Sequence, residues 1–163
     1  MNKLMLKQMV VLSLILGAIL GVITIIPYIN LLSFLAMIFV SAPIIMVYMK
    51  KNDFIGKLIP KDGASFGAAI GFFSCIGFCA TLVPLAAIIS FINDKWFHYL
   101  TWYSSMGIWF KNGLGGFFVL LMMVLFVAML CALFNAFSGL ATIYFYDQFL
   151  NTEEENETFH IDM

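Results

Sequence analysis

Four runs of residues, 9–28, 31–49, 65–92 and 114–146, contain no Asp, Glu, Lys or Arg. An uncharged apolar run of about 20 residues is what a helix needs to cross the hydrocarbon core of a bilayer. In that core every backbone N–H and C=O has to find its partner inside the protein. The runs lack the period-two alternation of membrane strands, and none carries the polar stripe that a soluble helix turns to water. With 63% hydrophobic and 10% charged residues, the chain lies outside the balance of soluble domains. The expected fold is all-α. Residues 1–150 form one polytopic integral membrane domain of four transmembrane helices, with an aromatic interfacial segment between the third and fourth helices. An acidic, disordered tail is expected over 151–163.

The basic start, with Lys3 and Lys7, resembles that of a secretory signal. The apolar run that follows exceeds a signal's usual core and has no small-residue cleavage pattern, so a retained first helix is expected. Lysines set the orientation, because short translocated loops shed them. If the helices alternate, Lys3, Lys7, Lys50, Lys51, Lys57 and Lys61 share one side, and only Lys95 and Lys111 fall on the other. Both termini are therefore expected to be cytoplasmic. The segment DKWFHYLTWYSSMGIWFKN holds Trp96, Trp102 and Trp109, amphipathic rings suited to the outer headgroup level. A net charge of −1 and the absence of a basic stripe argue against nucleic acid as a partner.

Lipid is as apolar as leucine, so membrane helices associate by close packing and hydrogen bonds. Small residues at four-residue spacing let two backbones approach. The third run carries Gly63, Gly67 and Gly71, continued by Cys75 and Cys79. The first carries Ser13, Gly17 and Gly21, and the fourth Ala128, Ala132 and Ala136, with Cys131, Asn135 and Gly139 beside them. These glycine-zipper patterns predict helix-packing seams. Pro43 and Pro84 each remove a backbone donor and predict bends. Asp62, next to Gly63, is expected to cap the third helix.

Chemistry is hard to place in this chain. Cys75 and Cys79 lie one turn apart with nothing charged nearby to lower a thiol pKa. The soft set of three cysteines and eleven methionines lacks the methionine spacing of copper-permeation helices. No metal-protease, nucleophile-elbow or nucleotide-loop motif occurs, so neither an enzyme nor a bound metal or cofactor is expected. The layout resembles that of small bacterial membrane proteins built from two helical hairpins, which implies a cell membrane, a bacterial inner membrane, as its location and brings no functional residues with it. The expected function is non-enzymatic: helix contacts with membrane partners or further copies of the chain, as an assembly partner, accessory subunit or envelope-stress component. The alternative is an oligomeric permeation or transport unit, including the holin type, with a polar path along Asn135, Ser138 and Thr142.

Overall fold

The computed structural model describes residues 3–26, 28–52, 60–92 and 113–161. Within them the chain forms five helices and no strand: α1 (Lys3–Ile23), α2 (Asn30–Phe39), α3 (Ser41–Lys51), α4 (Pro60–Ile92) and α5 (Gly113–Ile161). Stretches of α1, α4 and α5 are each long and apolar enough to cross a membrane, and α2 with α3 passes the same test as one span bent by 56°. The aromatic segment with Trp96, Trp102 and Trp109 lies outside the described residues, as does Lys57.

The second run is therefore broken rather than smoothly bent. Val40 sits between α2 and α3 at φ −106° and ψ −17°, three residues ahead of Pro43. A proline ring crowds the carbonyl four residues back and offers it no N–H, which puts the discontinuity upstream of the proline itself. Pro84, by contrast, lies inside the continuous helix α4. That helix begins at Pro60, a favoured first helical residue because its missing N–H has no intrahelical partner to lose. Asp62 is consequently an exposed residue of the first turn, not the cap. It still favours the positive end of the helix. The backbone of α5 runs on as helix through 147–161, the stretch that includes most of the acidic tail.

Chain direction follows from the close approaches. Gly17 of α1 lies against Ser74 and Phe78, and Gly21 against Phe78 and Thr81, so α1 and α4 run parallel. Gly63 faces Gly139 and Ile143, whereas Gly71 faces Asn135 and Cys131, so α4 and α5 run antiparallel. Just beyond the C-terminal end of α1, Tyr28 takes φ 72° at the tip of the turn into α2. There the Leu20 carbonyl and the Thr24 and Ser33 hydroxyls close a triangle of 2.7, 3.0 and 2.8 Å. A left-handed conformation costs a side-chain-bearing residue roughly 1–2 kcal/mol, and this hydroxyl link holds the reversal in place.

Helix α4 is the centre of the bundle and uses two faces. Toward α5, a Cβ added to Gly67 would collide with the Asn135 carbonyl oxygen, and one on Gly71 would lie 2.6 Å from both Asn135 Cβ and Cys131 O. Gly139 returns the fit, since its Cβ would lie 2.6 Å from Gly63 O and 3.1 Å from Met46 Sδ. Toward α1, Gly77 makes the same allowance, its Cβ 2.5 Å from Leu14 O. Forcing methyl groups into such contacts costs about 1–3 kcal/mol by overpacking. Gly67→Ala should therefore lower the thermal midpoint of the detergent-solubilised protein by several degrees. Gly115→Ala, where nothing lies within 4 Å, should leave it unchanged or slightly raised. Equal midpoints for the two variants would mean that the close approach contributes nothing.

Candidate functional site

The most polar side chain in the spans, Asn135, is fully buried and sits on α5 opposite the break between α2 and α3. Each of its hydrogen-bonding atoms is used. Oδ1 accepts from Ser41 Oγ at 2.8 Å and from the Ala42 N–H at 3.0 Å. Nδ2 donates to the carbonyls of Met37 at 3.2 Å and Cys131 at 3.0 Å. One side chain thus takes up a donor from the start of α3 and supplies one to the end of α2, where the Ser41 hydroxyl also lies 2.8 Å from the Met37 carbonyl.

One turn further along, Ser138 Oγ donates to the Phe39 carbonyl at 2.6 Å. In a regular helix residue 39 would accept from the N–H of residue 43, and Pro43 has none. Ser138 therefore stands in for the donor that the proline removes. Thr142 closes on its own helix, donating to Ser138 O at 2.7 Å. The break and its repair form one polar knot shared by α2, α3 and α5.

The remaining candidate residues divide between two seams. Ser13 is buried and donates to Met9 O at 2.7 Å, while Gly17 and Gly21 meet α4 as described. Gly63, Gly67, Gly71, Asn135 and Gly139 lie between α4 and α5. Cys75, Ala128 and Cys131 join Met37, Phe78 and Leu82 in one buried cluster, with Cys79 packed at its edge. Ala132 and Ala136 are half-buried, and the row of Cys131, Asn135 and Gly139 is the one that faces the glycines. Each four-residue step turns roughly 40° around a helix of 3.6 residues per turn, so five rungs sweep about 160°. The stripe that starts between α4 and α5 has begun to leave that seam by Cys79.

Sequence reading missed Gly77, Ser41, Thr24 and Ser33. Gly77 belongs to no small-residue triple, though its spacing to Thr81 was a usable signal. The hydroxyl pairs depend on partners 9 and 94 residues away, which no local pattern reports. Among the described residues no three His, Cys, Asp or Glu side chains are grouped so that they could hold a metal ion. No known protein family matches this chain, and neither a curated protein nor a solved structure does.

Two expectations follow from the knot. Asn135→Ala strands the Ala42 N–H and withdraws a donor from Met37, which should cost roughly 1–3 kcal/mol, whereas Ser74→Ala removes a buried hydroxyl that has no partner and should be neutral or stabilising. Thermal midpoints in one detergent compare the two directly. Second, Ser138→Ala should destabilise the wild type yet be nearly silent beside Pro43→Ala, which restores an N–H to Phe39. A double-mutant cycle with no coupling between positions 43 and 138 would disprove the substitution of one donor for the other.

Proposed function

We propose that this chain is a multi-pass cell-membrane protein of four spans, with α2 and α3 together forming the second, and that it works without catalysis by helix contacts with other membrane proteins or with copies of itself. Both termini are assigned to the cytoplasm, where the lysine-rich loop would hold them. The observation that carries the reading is that the three polar side chains of the alternative path are occupied. Asn135, Ser138 and Thr142, the residues of the alternative polar path, spend their hydrogen bonds inside the fold.

The outward face of α5 is where such contacts would be made. In the apolar stretch Leu114–Tyr146 of α5 only 11% of the most hydrophobic window is buried by the rest of the chain. Met122, Met123, Phe126, Met129 and Phe137 are each more than 60% exposed. Methionine side chains adapt to the shape of a partner helix, and the glycine zipper leaves this face free by using the opposite side of α5 for the chain's own packing.

Extraction of the protein from its native membrane in polymer-bounded discs tests the proposal. The expected disc holds this 18.3 kDa chain together with at least one further protein chain, counted by cross-linking, and replacing Met122, Phe126, Met129 and Phe137 together by Ala should leave it alone in its disc while the thermal midpoint of the purified chain is kept. A solitary chain in such discs, or ion flux through vesicles that hold only this protein, would overturn the assembly reading. A C-terminal reporter found active outside the cell would overturn the assigned orientation.

A further inference from the structure

The lysines that set the orientation are brought together by the fold. Met9 of α1, Met49 of α3, Phe66 of α4 and Ile143 of α5 share one buried layer. Lys7 lies two residues before Met9, Lys50 and Lys51 directly follow Met49, and Lys61 lies five residues before Phe66. Four lysines from three helices therefore stand at the same end of the bundle, within about one and a half turns of a common core layer. Lys7, Lys51 and Lys61 are exposed. Lys50 is drawn inward, its Nζ 4.0 Å from the centre of the Tyr146 ring on α5.

We propose that this rim binds the headgroups of anionic phospholipids in the leaflet around it. The proposal rests on the membrane reading above and adds a ligand to it. The rim lies at the ends of apolar spans, which places its charges at headgroup depth rather than in bulk water, and there each lysine attracts an anionic leaflet. The half-exposed rings of Tyr48 and Tyr144 flank it, at a depth where amphipathic rings anchor. The first turn of α4 adds backbone N–H groups that lack intrahelical partners. Against the four lysines the described side chains set Asp62 at the same end. All the cations are lysines, point charges that suit a diffuse phosphate layer better than a two-pronged grip on one phosphate. The ligand is thus a class of lipid, recognised by charge.

The test measures lipid selectivity in vesicles of phosphatidylcholine that carry spin-labelled phosphatidylglycerol or spin-labelled phosphatidylcholine. The wild type should immobilise the anionic probe about threefold or more over the neutral one at low salt, with the preference fading as the screening length shortens to about 10 Å near 0.1 M salt. The triple variant Lys7→Gln, Lys51→Gln, Lys61→Gln should lose the preference, and the matching triple Lys→Arg variant should keep it. Equal immobilisation of both probes by the wild type, or a preference unchanged in the Gln variant, would overturn the proposal. So would loss of the preference on adding inorganic phosphate at constant ionic strength, which would make free phosphate the ligand. Flotation with neutral vesicles separates the two levels: a chain that fails to float overturns the membrane reading, and one that floats without selectivity overturns only this one.

Discussion

A backbone group buried away from water needs a partner inside the protein, and the break between α2 and α3 leaves the Ala42 N–H and the Phe39 carbonyl to find theirs outside their own helix. Asn135 and Ser138 answer them from another helix. The knot fixes where α5 must lie, because Asn135 reaches Met37, Ser41 and Ala42 together only if α5 crosses opposite the kink. It also fixes how α5 meets α4, since the same Asn135 presents its backbone to Gly67 and its Cβ to Gly71. A larger side chain at either glycine would push α5 away from the break it repairs.

The two small-residue seams and the knot thus act as one unit. Helix α4 brings α1 and α5 close on its two faces, and hydroxyls finish the contacts that apolar area does not reward in lipid. Thr81 at the α1 seam shows the pattern in small: its Oγ1 lies 3.0 Å from Phe78 O and 3.3 Å from Ala18 O on the facing helix. The thiols need no separate explanation. Cys75 and Cys131 fill one cluster between α4, α5 and α2, as small hydrophobes commonly do.

Much of this was legible from residue types. The uncharged runs marked helices apolar enough to cross a bilayer, since a charge at membrane depth is costly, and the glycine triples marked helix faces because only a missing Cβ permits backbone contact. The break was legible in kind from Pro43 but not in place, since a proline disturbs the turn before it. The role of Asn135 was legible only as a hydrogen bond to some neighbouring helix. Its partners lie more than 90 residues away in sequence, and local spacing holds no record of them. The depth of Asp62 in α4 was misread for a related reason: Pro60 opens the helix two residues earlier than the acidic residue would as a cap.

By itself the sequence determined that the chain is helical and suited to a bilayer, which end carries the lysines, and which faces can come close, because these follow from hydropathy, charge and side-chain size at each position. Tertiary structure alone decided which faces meet. Gly63, Gly67 and Gly71 could have served any neighbour, and Asn135 could have bonded to any exposed carbonyl. The choice fell to the antiparallel pair of α4 and α5, where the glycine faces mate and the separated backbone groups of α2 and α3 are satisfied in the same arrangement.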